Sequence, residues 1–114
     1  MGIKKSSPRK IVKKVAAKKS ANRYVIIRTY SAGCFAGYLK SRKGQEVVLT
    51  EARRLWYWDG AATLSQLAQS GTRKPQNCKF TEAVDLIELT QAIEIIDVTP
   101  AAKASIDGVK VWAS

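Results

Sequence analysis

The residue types that could do chemistry are concentrated in one short stretch, Arg53–Trp58 (RRLWYW), where two guanidinium groups adjoin three aromatic rings. Aromatic faces stack nucleobases and arginine pairs with phosphate through two parallel hydrogen bonds, so this composition is typical of proteins that bind single strands. Tryptophan and tyrosine are also common in cores, sheets and subunit interfaces. We favour the core or interface interpretation and keep ligand contact as the alternative. The side chains concerned are Arg53, Arg54, Trp56, Tyr57 and Trp58.

The rest of the composition excludes several kinds of catalytic site. The chain of 114 residues has no histidine, so no imidazole can act as a general base or a metal ligand. Ser31 with Lys40 or Lys43 lacks the S-x-x-K spacing of a serine–lysine pair. We expect a protein that is not an enzyme and has no catalytic residue, metal or cofactor. The acidic residues of the second half are expected to form a solvated face or a docking surface for basic segments. They are Glu82, Asp85, Glu88, Glu94 and Asp97.

The basic charge is concentrated at the N-terminus. The chain has 20 Lys and Arg against 9 Asp and Glu, a formal net charge of +11, and this excess indicates a polyanion as the partner. Residues 1–23 hold nine basic residues and no acidic one, whereas the other 91 residues hold 11 basic and 9 acidic residues. The predicted nucleic-acid-binding residues are therefore Lys4, Lys5, Arg9, Lys10, Lys13, Lys14, Lys18, Lys19 and Arg23.

Residues 1–23 lack aromatic residues and contain Pro8, so we expect a flexible tail ahead of a single domain over residues 24–114. Four interpretations of the tail stay open. It could bind nucleic acid through counterion release, or be ordered by neighbouring proteins in an assembly. It could be a leader without a specific partner, or, through the loose M-G-x-x-x-[ST] pattern at Met1–Ser6, carry a membrane-anchoring acyl chain. Nucleic acid is the favoured partner, and a membrane is the least favoured of the four.

The cysteines and the apolar runs of the sequence indicate where in the cell the protein is located. Cys34 and Cys78 form no C-x-x-C pair, and no signal peptide precedes them, which indicates a reducing, intracellular setting. No apolar run approaches the roughly 20 residues that span a bilayer. We expect a protein that is neither secreted nor transmembrane.

Alternating β-branched and aromatic residues predict the strands. We expect strands over residues 24–30, 35–41, 46–50, 52–58 and 91–98, and a terminal strand over residues 109–112. Gly44 suits a hairpin loop, and Gly37 suggests a bulge or a close approach of two backbones. Because residues 92–98 are apolar on both faces, we expect the body to associate with other subunits.

Two short helices complete the predicted domain. Asp59 and Gly71 are expected to cap the first helix, and Thr99 to cap the second, which places Ala104 against the core. The predicted fold class is α+β, with a small bent antiparallel sheet or partly open barrel and two short helices.

Six short motifs of the body carry a resemblance to a known family. They are Tyr24–Gly33 (YVIIRTYSAG), Ala52–Trp58 (ARRLWYW), Gly60–Ala68 (GAATLSQLA), Gly71, Cys78–Phe80 (CKF) and Ala92–Ile96 (AIEII). In this order they resemble a family of small proteins of tailed bacteriophages and prophages that is classed as a domain of unknown function. The basic tail is not part of the pattern. The resemblance implies a location in the host cytoplasm or the virion, and it disfavours acylation.

Three roles are compatible with these patterns. The favoured one is a non-enzymatic protein that attaches non-specifically to nucleic acid through its tail, assisted by Arg53, Arg54 and Trp56. The second is an auxiliary virion or capsid-associated protein whose tail is ordered by neighbouring subunits. The third is a host-interaction or anti-defence module that binds a nucleotide ligand. Its candidate residues are Arg28, Tyr30, Arg53, Tyr57 and Gln66.

Overall fold

The computed structural model describes residues 22–114, which form six β-strands and two α-helices and confirm the predicted α+β class. The strands are β1 (Tyr24–Thr29), β2 (Cys34–Lys43), β3 (Glu46–Tyr57), β4 (Lys79–Phe80), β5 (Val84–Leu89) and β6 (Ala92–Asp97). The helices are α1 (Leu64–Ser70) and α2 (Pro100–Asp107), and a 3-10 turn lies at Pro75–Asn77. The predicted flexible tail falls almost wholly on residues 1–21, which lie outside the described residues.

One bent, open antiparallel sheet contains these strands, in the order β4-β3-β2-β1-β6, with β5 also paired to β3. β5 and β4 follow one another along the same edge of β3. Only Thr90 and Gln91 connect β5 to β6, although these strands lie on opposite sides of β3, β2 and β1. The sheet must therefore curl until β5 and β6 approach each other, which produces the predicted bent, partly open form.

β3 continues through a position where the sequence patterns predict a break. The prediction of two strands over residues 46–50 and 52–58 is wrong, because residues 46–57 form one strand that bends at a bulge. Glu51 has φ 51° at this bend. Opposite it, a Cβ at Gly37 would lie 3.0 Å from both the Ala52 Cα and the Thr50 carbonyl oxygen. Gly37 is thus the predicted site of close backbone approach.

The sheet is buried on both faces along β1. Val25 and Ile27 belong to an interior cluster enclosed by the curl, and Ile26 belongs to a helix-side cluster on the opposite face, as the alternation of side chains along a strand requires. The interior cluster is Val25, Ile27, Phe35, Val47, Leu49, Ala52, Leu89 and Ala92. The helix-side cluster is Ile26, Ala36, Leu55, Leu67, Ala68, Cys78, Phe80, Ile106 and Val109.

α1 begins later than predicted. Thr63 caps it by accepting a hydrogen bond from the Gln66 N–H at 3.0 Å. The prediction that Asp59 caps this helix is wrong, since Asp59 instead accepts the N–H of the adjacent Gly60. Gly71 ends α1, as predicted, at a φ of 78° that favours glycine.

α2 begins at the predicted Thr99 cap, which accepts the Ala102 N–H. Ala102 and Ile106 are the residues that α2 buries, so the prediction that Ala104 faces the core is wrong. The predicted terminal strand is wrong as well, because the described residues after α2 form a single parallel bridge, between Val111 and Phe80. Within residues 22–114, neither helix is long and apolar enough to cross a membrane.

The apolar residues of β6 are mostly covered within the chain itself. Ile95 packs against the interior cluster and Ile96 against the helix-side cluster. Ile93 is the exception, with 44% of its surface exposed. The pattern that suggested coverage by another subunit is therefore explained largely by burial on both faces of one curled sheet.

Tyr24 links β1 to α2 and makes the stability depend on pH. Its ring stands edge-on to Tyr38, with ring centres 5.1 Å apart, and the Lys103 Nζ lies 5.0 Å from its centre. Burial, followed by the charge of Asp107, raises the pKa of Tyr24 from 10.0 to about 12. The folded protein therefore holds the phenol proton more tightly than the unfolded chain. This contribution to stability is complete below the unfolded pKa and is lost as the pH rises from 10 to about 12.

We expect replacement of Tyr24 by phenylalanine to reduce this alkaline loss of stability. Urea denaturation at about pH 9 and pH 11.5 should show the wild-type free energy of unfolding falling by about 1–2 kcal/mol more than that of Tyr24→Phe. The hydrogen bond to Asp107 raises the pKa of Lys103, and the resulting alkaline loss is shared by both proteins. Equal losses in the two proteins would contradict the assignment to Tyr24.

Candidate nucleic-acid interface

Arg53 points into the core. Its residue surface is 7% exposed, and its guanidinium lies 5.5 Å from the centre of the Phe80 ring. It donates hydrogen bonds of 2.8–3.0 Å to four backbone carbonyl oxygens, those of Phe80, Thr81, Ile106 and Val109. Burial lowers the pKa of Arg53, but a guanidinium titrates so far above neutrality that it keeps its charge. The Arg53 donors are thus engaged by backbone carbonyls of β4 and the residue after it, of α2, and of the C-terminal segment, residues 108–114.

Arg54 also contacts the protein itself. Its guanidinium lies 4.5 Å from the centre of the Phe35 ring, and its Nη1 donates to the Ala32 carbonyl oxygen at 2.7 Å. These contacts attach β3 to β2 and to the turn that follows β1. Trp58 is half-buried and packs against the helix-side cluster.

The residues of the nucleotide hypothesis lie in separate contacts. Arg28 Nε pairs with Glu94 Oε1 at 2.9 Å, and Gln66 Oε1 accepts the Ala62 N–H at the start of α1. Tyr30, with 76% of its surface exposed, follows β1, whereas the half-exposed Tyr57 ends β3. The main cavities of residues 22–114 are lined by none of these side chains, nor by Arg53.

Trp56, Lys79 and Trp112 form an exposed aromatic and basic surface, which we call the tryptophan platform. The ring centres of the two tryptophans are 6.3 Å apart and their planes differ by 6°. The Lys79 Nζ lies 5.5 Å from the centre of the Trp112 ring. Trp56 remains 63% exposed and Trp112 46% exposed, so their contact leaves much of both rings open to solvent.

Three separate segments position the platform. Trp56 follows the buried Leu55 on β3, and the alternation of a strand turns it towards solvent. Lys79 lies on β4, which is antiparallel to β3. The Trp112 N–H donates to the Phe80 carbonyl oxygen at 2.9 Å, which holds the C-terminal segment beside β4. The sheet thereby brings together side chains from positions 56, 79 and 112.

An open groove of about 580 Å³ adjoins the platform. Its walls come from residues 75–78 and 108–113, and they include Lys110 and Trp112. The first wall is fixed by Asp59, whose Oδ2 accepts the Asn77 Nδ2 at 2.9 Å. This bond and that from the Gly60 N–H hold the pKa of Asp59 below its usual value. The carboxylate next to this wall is thus engaged in hydrogen bonds within the fold.

The arrangement can stack a planar ring and attract an anion. Exposed tryptophan faces stack bases, and neighbouring ammonium groups pair with phosphates. Of the aromatic and arginine residues singled out from the sequence, the structure places Trp56 on this surface. The sequence patterns missed Lys79, Lys110 and Trp112, because no local pattern links positions so far apart. The available signal was a tryptophan in an alternating V-K-V-W run near the C-terminus.

The predicted basic residues of the tail are mostly outside the described residues. Arg23 is the exception, and its Nε pairs with Asp97 Oδ1 at 2.9 Å. Both side chains of this pair are largely exposed, so solvent screens their attraction. Within residues 22–114, no three Cys, Asp or Glu side chains are grouped so that they could hold a metal ion.

We expect Arg53→Lys to destabilise the protein although it keeps the charge. A lysine ammonium has three donors and cannot reproduce the planar fork that serves four carbonyls, so buried acceptors lose their partners at a cost of about 2–4 kcal/mol. Urea denaturation measures this change. Arg54→Lys, at the more exposed neighbouring position, is the matched control and should cost less than about 1 kcal/mol. Equal stability of Arg53→Lys and the wild type would contradict the structural role of Arg53.

Comparison with known proteins assigns most of the chain to a family. The model of a family described as a domain of unknown function, DUF6948, matches residues 22–106. This match contains Arg53, Trp56 and Lys79 and stops before Lys110 and Trp112. No curated protein and no solved structure matches the chain. Because the matched residues make up most of its length, the chain belongs to the DUF6948 family of domains of unknown function.

Proposed function

We propose that this protein is a non-enzymatic, phage-type binding protein that attaches to nucleic acid without sequence specificity through its basic N-terminal segment. The observation that carries the proposal is the separation of charge, since residues 1–23 hold nine of the 20 basic residues and none of the acidic ones. Each phosphate neutralised by such a segment releases condensed counterions, a gain that does not depend on base sequence.

The contacts of the body support giving this role to the N-terminal segment. Arg28 pairs with Glu94, and Lys103 pairs with Asp107 at 2.6 Å. Arg53 and Arg54 donate to backbone carbonyls. Four of the eleven basic residues in 24–114 are therefore engaged by these contacts within the fold. We assign Arg53 and Arg54 to the fold and keep Trp56 as a contact residue.

The amino-acid composition and the state of the Cys34 thiol support a protein that binds nucleic acid and is not an enzyme. The chain has no histidine to serve as a general base at neutral pH. Burial raises the pKa of Cys34, so this half-buried thiol is held in its protonated and less nucleophilic form.

The salt dependence of binding tests the proposal. In the full chain, replacement of Lys14, Lys18 and Lys19 by glutamine should reduce the slope of log K against log salt for duplex DNA by up to about 3, because each phosphate contact contributes about 0.9. Fluorescence anisotropy of a labelled duplex over a series of salt concentrations measures both slopes.

Three basic residues of the β2–β3 hairpin provide the matched control. Replacement of Lys40, Arg42 and Lys43 by glutamine removes the same charge from exposed positions of the body. This variant should keep most of the wild-type slope. If both triple variants lose the same slope, binding depends on net charge alone and the role of the N-terminal segment is refuted.

A second candidate, an auxiliary virion protein that assembles through its body, is favoured by exposed apolar residues on β5 and β6. Val84, Leu86 and Ile93 are 44%, 48% and 44% exposed. Within the described residues, β5 pairs with β3 and β6 pairs with β1, so each has one edge open to a further strand. The acidic side chains Asp85 and Glu88 interrupt the apolar residues of β5 and oppose pairing with a like strand, which is why this candidate ranks second.

The variant Leu86→Lys tests whether the protein assembles through β5. If assembly uses the exposed side of β5, a charge at position 86 should lower the molar mass found by light scattering without lowering the melting temperature, because this side chain is already half exposed. Ser65→Lys, at an exposed position on α1, should leave the mass unchanged. A wild-type monomer, or equal masses for all three proteins, would count against assembly through β5.

A further inference from the structure

The tryptophan platform leaves more aromatic surface exposed than the fold requires. Trp56 and Trp112 contact each other almost in parallel, yet they stay 63% and 46% exposed. The neighbouring Val111 is 48% exposed. Contiguous exposed apolar surface of this kind usually marks a binding site, and a planar ligand can cover it without rearrangement of the core.

The charge around the platform is positive. Lys79 reaches the Trp112 ring, and Lys110 lies on the wall of the adjoining groove. Arg73 and Lys74 are exposed in the loop that leads into the same wall. Within residues 22–114, no acidic side chain lines the groove. The Asp59 carboxylate beside its first wall is hydrogen-bonded to Asn77 and Gly60, and Asp107 is paired with Lys103. A ligand that covers the platform should therefore carry negative charge beside a planar ring.

We infer that the tryptophan platform is a base-stacking site for single-stranded nucleic acid, with Lys79 and Lys110 as its phosphate contacts. This inference rests on the proposed nucleic-acid function and adds a preference for single strands. In a duplex the base faces are stacked on one another, whereas a single strand presents them to aromatic side chains. Protein interfaces are depleted in lysine, so two lysines at this surface favour a polyanion over a protein partner.

Binding of labelled oligothymidylate and of a duplex with the same number of phosphates tests the inference. In the full chain, Trp56→Ala and Trp112→Ala should each weaken binding of the oligothymidylate roughly 10- to 100-fold, as expected for the loss of base stacking. Binding of the duplex should change by less than about twofold, because it depends on phosphate contacts. Lys79→Gln should lower the salt slope for the single strand by about 0.7.

Matched variants separate stacking from loss of structure. Trp56→Phe keeps an aromatic ring and should restore most of the affinity for the single strand. Tyr30→Ala removes an aromatic ring that is more exposed than Trp56, from the turn after β1, and should change nothing. Trp112 belongs to neither core cluster, so its replacement provides a test that removes no core side chain. Melting temperatures within a few degrees of the wild type show that a change in affinity is not caused by unfolding.

The outcomes distinguish this inference from the proposed function. If the lysine variants of the N-terminal segment lose their salt slope while the tryptophan variants bind like the wild type, the proposed function stands and the stacking site is refuted. If the tryptophan variants lose single-strand affinity while the N-terminal variants do not change, the stacking site stands and the role of the N-terminal segment is refuted. A change of molar mass in Trp56→Ala with unchanged affinity would show that the platform is a protein interface, which also overturns the inference.

Discussion

The structure depends on the hydrogen bonds of one buried arginine. Arg53 lies on β3, the strand that pairs with β2, β4 and β5. Its guanidinium donates hydrogen bonds to four backbone carbonyl oxygens, those of Phe80, Thr81, Ile106 and Val109. A planar group with several fixed donors suits this task, since it bonds four backbone acceptors at once. The carbonyls of Phe80 and Ile106 also accept a backbone N–H, and Arg53 adds a bond from β3 to each of them. The same bonds hold the chain after α2 beside β4. The tryptophan platform at the surface therefore depends on a charge in the core.

A second constraint is the two-residue connection between β5 and β6. It forces the sheet to curl, and the curl encloses the interior cluster while the outer face accepts both helices. β3 can take part in this arrangement because it bends at Glu51, opposite the close approach of Gly37. A chain of this size thereby covers both faces of β1 with its own residues. The exposed apolar residues that remain lie mainly at the edges, on β5, on β6 and at the platform.

The residues that we propose to bind nucleic acid lie partly within the matched family domain and partly in the segments before and after it. The match to DUF6948 covers residues 22–106. Eight of the nine basic residues of the N-terminal segment precede it, and Lys110 and Trp112 follow it. Trp56 and Lys79 belong to the matched part. On this proposal the domain supplies a rigid strand pair, and the two flanking segments supply the charge and the second aromatic ring. Electrostatic attraction then comes mainly from the segment rich in lysine, and discrimination between single and double strands comes from the platform.

Local patterns in the sequence are enough to predict several features of this protein. These are the class of the fold, the strands at residues 24–29 and 92–97, the helix start at Thr99, the helix end at Gly71 and the separation of charge. Each follows from alternation, capping chemistry or composition within a few neighbouring residues. Long-range packing of the fold, by contrast, is the reason that β3 runs unbroken through Glu51 and that Arg53 is buried while Trp56 is exposed. The same packing places Trp112 beside Trp56 and turns Ala102, instead of Ala104, towards the core. These outcomes depend on which distant backbone atoms come within hydrogen-bonding or packing distance, and no periodicity along the chain encodes that distance.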